Sequence, residues 1–217
     1  MIRICVVCEG HTEVEFVKSC LAPFLFRQDN KVSVFPVLLQ SRAGNQRGGR
    51  VTVERLVNLI SKQYHHADRI TTLVDFYGFQ DRKGRTSQEV AQAVHEGIGK
   101  KIKNYDMQRV LPYLQMHEFE GLLFTDPDAF EWVTDGWSAV TREQLHAIAA
   151  EFTNPEDIND SPETAPSKRI LEIFPAGTYS KVEHGPLIAE TIGMDAIREK
   201  CPLFNEWVSM LENWGNA

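Results

Sequence analysis

No stretch of this 217-residue chain approaches the ~18 consecutive apolar residues that mark a membrane-spanning helix. The opening residues, Met1-Ile2-Arg3-Ile4, carry neither a basic leader nor a small-residue cleavage site. The expectation is a cytoplasmic protein, with neither export nor membrane insertion. Cysteine is scarce, at four residues, and the one C-x-x-C pair, Cys5 and Cys8, lies inside the apolar run Ile4 to Cys8. Strand side chains alternate in direction, so these two thiols should face opposite ways, which argues against a shared zinc and for buried, reduced thiols. Also missing are a G-x-x-x-x-G-K-[ST] loop, a G-x-S-x-G elbow and an H-E-x-x-H helix. Their absence argues against ATP hydrolysis by the chain itself, a serine-hydrolase elbow and a zinc-protease helix.

Basic residues are few in the second half. The formal charge is -7, but residues 1 to 110 sum to +6 and the remainder to -13. A phosphate-rich ligand would therefore meet the amino-terminal half.

Ile2 to Cys8 is a nearly continuous apolar run, the pattern of a strand buried on both faces of a parallel sheet, and it ends at Glu9-Gly10. Thr12-Glu13-Val14-Glu15 reads as a capping box with Thr12 as cap and Glu15 reaching back, opening a helix that should stop near Leu21, before Pro23. Val32 to Leu39 reads as a second strand, Ser41 to Arg50 as a mobile glycine-arginine loop and Val51 to Tyr64 as a helix. Arg69 to Phe76 is a third strand, ending at Asp75 as the first ended at Glu9. After it come the loop Gly78 to Thr86, a helix over Gln88 to Ile102, and a strand over Arg109 to Met116. Such alternation predicts an α/β fold, a parallel-sheet Rossmannoid domain over residues 1–126. Beyond Asp126 the patterns at Thr141 to Phe152, Ser167 to Phe174, Leu187 to Ile192 and Phe204 to Trp214 are helical, predicting a helical extension over 127–217 packed on that domain.

Ligands of open parallel sheets sit beyond the carboxyl ends of the strands. Glu9 and Asp75 both fall there, and as neighbours they would repel unless a cation or a proton separated them. Oxygen donors suit Mg²⁺ or Mn²⁺. Two solvated strand-end acids are the alternative that spacing leaves open. His117-Glu118-Phe119-Glu120 follows the last strand. If strand geometry persists there, Glu118 and Glu120 share a face; if a helix has begun, His117 and Glu120 do. Glu13 is either a member of the site or a favourable charge in the first helical turn.

Strand-Glu9-Gly10-His11-Thr12-Glu13 followed by strand-Asp75-Phe76-Tyr77 resembles the two signature segments of Toprim domains, which occur in topoisomerases, primases and the overcoming-lysogenization-defect nucleases. More narrowly, five segments resemble a Toprim-like bacterial family of unknown function associated with phage defence: Glu9-Gly10-x-Thr12-Glu13, His117-Glu118-Phe119-Glu120, Asn154-Pro155-Glu156-x-Ile158-Asn159, Pro166-Ser167-Lys168-Arg169 and Cys201-Pro202-x-Phe204-x-x-Trp207.

The resemblance implies a metal-dependent nuclease, the effector of an antiviral defence system partnered with an ATPase. It assigns Glu9 to proton transfer and metal binding and Asp75 to Mg²⁺ (or Mn²⁺), with Glu13, Glu118 and Glu120 as further ligands and His117 as a candidate base beside Glu118. The second aspartate of the Toprim pair is replaced by Tyr77, and a phenol is a poor Mg²⁺ ligand. Asp81, Glu118 and Glu120 are the candidates to compensate, and a catalytically inactive regulatory subunit is the alternative. Loop cations at Arg42, Arg47, Arg50, Arg82, Lys83 and Arg85 suit phosphate contacts, as do Lys168 and Arg169 at the start of a helix. The expected partner is nucleic acid, DNA before RNA; an oligomer is compatible with the sequence.

Overall fold

A computed structural model describes residues 1–27, 32–39, 51–158 and 164–215. The expected loop Ser41 to Arg50, with Arg42, Arg47 and Arg50, lies outside them.

The apolar run closes into β1 (Ile2–Cys8), which sits at the centre of the sheet between β2 (Val32–Leu38) and β3 (Arg69–Asp75). All these pairings are parallel, with Cys8 opposite Leu38 on one side and Leu73 on the other. The expected strand Arg109 to Met116 is two short pieces, β4 (Val110–Leu111) and β5 (Leu114–Gln115), both pairing with β3. Pro112 separates them, since proline offers no amide to a ladder. Threonines of β3 bind the break from the side: Thr71 donates to the Leu111 carbonyl at 2.7 Å and Thr72 to that of Tyr113 at 2.6 Å.

Alternation along β1 divides the core into two layers. Cys5 and Val7 join Ile70, Val74 and the apolar faces of α3 (Val53–Gln63) and α4 (Ser87–Gly99). Ile4, Val6 and Cys8 face the other way, onto α1 (His11–Phe16) and the carboxyl-terminal helices. The two thiols thus lie on opposite faces, both buried. The second layer holds α5 (Ala139–Glu151), α6 (Pro166–Ile173), α7 (Lys181–Ile192), α8 (Met194–Lys200) and α9 (Pro202–Gly215). Residues from either side of Asp126 share it: the Phe16 ring lies 5.0 Å from Phe119 and 6.0 Å from Phe204.

Two helix boundaries depart from the sequence reading. The cap of α1 is Gly10, not Thr12, and Glu13 reaches back to the Gly10 amide at 2.9 Å while Glu15 pairs with Lys18 on the surface. The strand ends so close to the helix that the same cap-to-third-residue spacing is met two residues earlier. Nor does Pro23 end the helix. A π turn over Val17–Leu21 widens the spiral before it, the Ala22 amide donates to Val17, and α2 (Ala22–Arg27) continues beyond.

Candidate functional site

Parallel pairing puts Glu9 and Asp75 side by side at the carboxyl edge of the sheet. The Glu9 amide extends the ladder to the Leu73 carbonyl at 3.2 Å, and the Asp75 amide donates to Glu9 Oε2 at 3.1 Å. Beneath them the first turn of α1 brings in Glu13. Glu118 lies at the extended residue before the 3-10 run Phe119–Thr125, and Glu120 lies in its first turn. Both face Lys181, the first residue of α7: Lys181 Nζ is 3.2 Å from Glu120 Oε1 and 4.0 Å from Glu118 Oε1. His117 points elsewhere, its ring stacked on Tyr77. Glu118 and Glu120 therefore both face Lys181, although strand geometry ends at Gln115 and a 3-10 turn has begun at Phe119.

The acids feel one another. Burial, together with Glu9, Glu13, Glu120 and Glu118, pushes the Asp75 carboxyl well above the ordinary carboxylate range. Burial also lifts Glu9 to about 7, with Glu118 adding to the rise and the Asp75 amide, Arg55 and Lys181 opposing it. Glu13 reaches about 7, chiefly through burial and then through Glu120 and Glu9. Burial raises Glu120 too, against the pull of Lys181. Desolvation draws the Lys181 ammonium down, but Glu120 and Glu118 more than reverse it and leave it above its usual value. Five acids with one half-buried lysine among them carry excess negative charge.

Each carboxylate but one is partly engaged. Glu13 holds the Gly10 amide, and Glu118 Oε2 accepts the Ser167 amide at 2.8 Å. That bond occupies the start of α6, where the sequence suggested a phosphate site. Among the described residues no donor meets the Asp75 carboxylate. The donor set fits a hard divalent cation in kind, being all oxygen and under-neutralised. Among the described residues, however, no three His, Cys, Asp or Glu side chains stand grouped to grip a metal.

The other expected residues scatter. Asp81 turns away to the amide of Val53 at the start of α3, with both oxygens at 3.3 Å. Arg82 lies over the rings of Phe76 and Tyr77. Lys83 and Gly84, both at positive φ, form the tip of a turn closed by Arg85 N to Arg82 O, and the Arg85 guanidinium bonds the Asp81 carbonyl. Lys168 is exposed, while Arg169 is held by the Thr164 carbonyl, Glu151 and the Phe152 ring.

Three neighbours of the site were not read from sequence. Lys181 belongs to a helix expected to start only at Leu187, because Gly185-Pro186 looked like a break. The glycine is there for contact: a Cβ on Gly185 would lie 3.2 Å from Thr12 and 3.4 Å from Phe119. Gly78 packs tightly on the Asp75 carbonyl, where a Cβ would lie at 3.2 Å, and beside the Glu9 carboxylate, whose oxygens would be in ordinary contact at 3.4 and 3.5 Å. Gln115, the buried register partner of Asp75, has its Oε1 fixed by the Tyr113 hydroxyl at 2.6 Å, while its Nε2 has no hydrogen-bond partner among the described residues.

Sequence segments far apart in the chain meet in pairs around this edge. Glu118 caps Ser167, and Glu156 accepts the amides of Leu203 and Phe204 at 2.8 and 3.0 Å at the start of α9. Trp207 of α9 stacks on Tyr113, ring centroids 4.5 Å apart, and donates to Thr71 at 2.8 Å. The model of DUF4276, a domain of unknown function, matches residues 8–212. The chain belongs to the DUF4276 family. No curated protein matches it.

Among solved structures, this DUF4276 chain is similar to the C-terminal region of the Xanthomonas campestris pv. campestris OLD protein. In the structure phased with iodine the identity is 13%, the TM-score 0.50, and the match covers 98% of this chain and 95% of that one. The structure phased with platinum gives 13%, 0.50, 99% and 94%. The C-terminal region of the Burkholderia pseudomallei OLD protein is 15% identical with a TM-score of 0.47, covering 96% and 99%. At 13% identity the likeness to the two Xanthomonas structures speaks for the fold: a mixed α/β fold with a small parallel sheet and a helical carboxyl-terminal half. No helix among the described residues is long and apolar enough to cross a membrane.

Proposed function

We propose that this chain is a Toprim-like, metal-dependent phosphodiesterase acting on nucleic acid, with Glu9 and Asp75 as its core. The observation that carries the reading is the under-neutralised set of Glu9, Glu13, Asp75, Glu118 and Glu120 at the carboxyl edge of a parallel sheet, within a fold shared with OLD proteins. Glu9 and Asp75 with Glu118 or Glu120 would hold Mg²⁺ or Mn²⁺, which when bound neutralises charge developing on the phosphoryl oxygens.

This chain's own residues do the rest. Glu9, lifted to about 7, is poised to hold or release a proton near neutral pH, as a general acid or base requires. Asp75 has a carboxylate without a donor and is free to ligate. Lys181 keeps Glu120 and Glu118 oriented and offsets part of their charge. The fold and the resemblance together support a role as the effector of an antiviral defence system with an ATPase partner, and with DNA ahead of RNA as substrate.

The test is cleavage of single-stranded and duplex DNA and RNA by purified protein with Mg²⁺ or Mn²⁺. Loss of cleavage in Glu9→Ala and Asp75→Ala supports the reading; cleavage equal to that of the parent protein in both variants ends it. A second reading is favoured by Tyr77 in place of the second aspartate and by the lack of three grouped ligands among the described residues. Under it the chain is a non-catalytic subunit of an ATPase complex, and calorimetry would show ATPase binding with no uptake of Mg²⁺ or Mn²⁺.

A further inference from the structure

Tyr77 occupies the place of the missing aspartate, and its ring belongs to a stack. It is 52% exposed, whereas its neighbour Phe76 is buried and meets it edge-on at 80° with centroids 5.7 Å apart. The His117 ring lies against Tyr77 at 4.9 Å and 28°. The Arg82 guanidinium carbon lies 4.7 Å from the Tyr77 centroid and 5.0 Å from that of Phe76. A half-exposed ring, braced by buried and partly buried rings and flanked by a movable cation, is the arrangement on which a nucleobase stacks regardless of its identity.

Position strengthens the point. Tyr77 is two residues beyond Asp75 and directly before Gly78, which lies against the Glu9 carboxylate; His117 directly precedes Glu118. The stack therefore joins two of the three segments that supply the acids, the one that follows Asp75 and the one that carries Glu118 and Glu120. A strand whose phosphate reaches those acids brings an adjoining base to Tyr77.

We propose that Tyr77, with His117 and Arg82, forms a stacking platform for an unpaired nucleobase, the base entering between the Tyr77 ring and the Arg82 guanidinium. Duplex DNA, whose bases keep their faces against one another, cannot use it, so the platform selects single-stranded or unwound nucleic acid. This inference rests on the nucleic-acid reading above.

The test measures binding of a fluorescent single-stranded oligonucleotide by anisotropy, in a Glu9→Gln background that prevents turnover, with a 2-aminopurine oligonucleotide reporting stacking by quenching. Tyr77→Ala should weaken binding on the order of 10- to 100-fold and abolish the quenching, while Tyr77→Phe and Tyr77→Trp retain both. Tyr77→Asp should lose as much as Tyr77→Ala, and duplex affinity should stay unchanged throughout. Single-strand binding and quenching unaltered in Tyr77→Ala overturn the platform alone. A Tyr77→Asp variant that binds single strands as well as the parent also overturns it. Failure of the Glu9→Gln protein itself to bind any nucleic acid overturns the platform and the nucleic-acid reading together. Because Tyr77 is on the surface, the melting temperature of each variant checks that the fold is retained.

Discussion

The backbone amide of Asp75 donates to Glu9 Oε2 at 3.1 Å, while the Asp75 carboxylate meets no donor among the described residues. Two acids on adjoining strands are thus unequal: one is held through its neighbour's backbone, and the other, without a donor, is kept well above the ordinary carboxylate range by burial and the acids around it. The fold bears a cost for keeping them there, and that cost is measurable without any substrate.

Glu9 has an ordinary value of 4.5 and is lifted to about 7, so between those values the folded protein holds a proton that the unfolded chain has released. Stability must then fall as pH rises from about 4.5 through about 7, and Glu13, also lifted to about 7, adds to the same trend. Glu9→Gln keeps the shape and removes the charge. It should raise the melting temperature at pH 8 by roughly 2–4 °C, the equivalent of about 1 kcal/mol, and leave it nearly unchanged at pH 4.5. Thermal melts of both proteins across pH 4.5 to 8 check this. An equal shift at both pH values would mean that the gain comes from packing rather than charge.

The same excess charge predicts stabilisation by divalent cations. Mg²⁺ or Mn²⁺ at about 100 times its dissociation constant should add roughly 2.7 kcal/mol at pH 8, and the gain should shrink as pH falls below about 7, where protons compete for the acids. Asp75→Asn should remove most of the effect. Differential scanning fluorimetry with a metal titration distinguishes this from a general salt response, which Na⁺ at matched ionic strength would reproduce.

What was legible in sequence followed from burial. β1 is a nearly apolar run and β3 a β-branched one, each followed by or ending on one acid, the pattern of strands buried on both faces, so Glu9 and Asp75 could be placed on one edge. Lys181 was hidden because its helix contains Gly185 and Pro186, residues that locally read as a break. Tertiary contact overrides that propensity: Gly185 packs on α1 so closely that a Cβ there would press Thr12 at 3.2 Å. The caps behaved likewise. Glu156 and Glu118 each bond amides at the start of a distant helix, and nothing local in either segment announces the partner. The basic loops read as a phosphate surface, yet Arg82 lies over two aromatic rings and Arg169 is held by a carbonyl within the chain.

Lys181 should matter more to stability than an exposed lysine. Removing it leaves Glu120, which is 4% exposed, without its cation. Lys181→Met is expected to cost about 1–3 kcal/mol at pH 8, less than a fully buried pair because the lysine side chain is 40% exposed. Adding Glu120→Gln should return much of that loss, since the stranded charge goes with it. Urea denaturation of the two single variants and the double variant gives the coupling, and additive losses would show that the pair is not linked.

Two glycines should respond in opposite ways to alanine. At Gly78 a Cβ would lie 3.2 Å from the Asp75 carbonyl, so the turn that follows Asp75 must shift by a few tenths of an ångström, while Glu9 Oε1 at 3.4 Å would be in ordinary contact. The turn bond from Gly78 N to Asp75 O can survive such a shift. Gly78→Ala should therefore leave stability within about 1 kcal/mol while reducing cleavage by 10-fold or more, because misplacement of a reacting group is felt far more in rate than in folding. Gly84, at φ +78 with nothing within 4 Å of its would-be Cβ, has room but an unfavourable backbone. Gly84→Ala should cost about 1 kcal/mol in stability and leave the cleavage rate of the folded protein unchanged. Melting curves and initial cleavage rates on the two variants side by side separate the effects. If Gly78→Ala cleaves at the parental rate, the tight turn at Gly78 has no part in placing Asp75 for the chemistry.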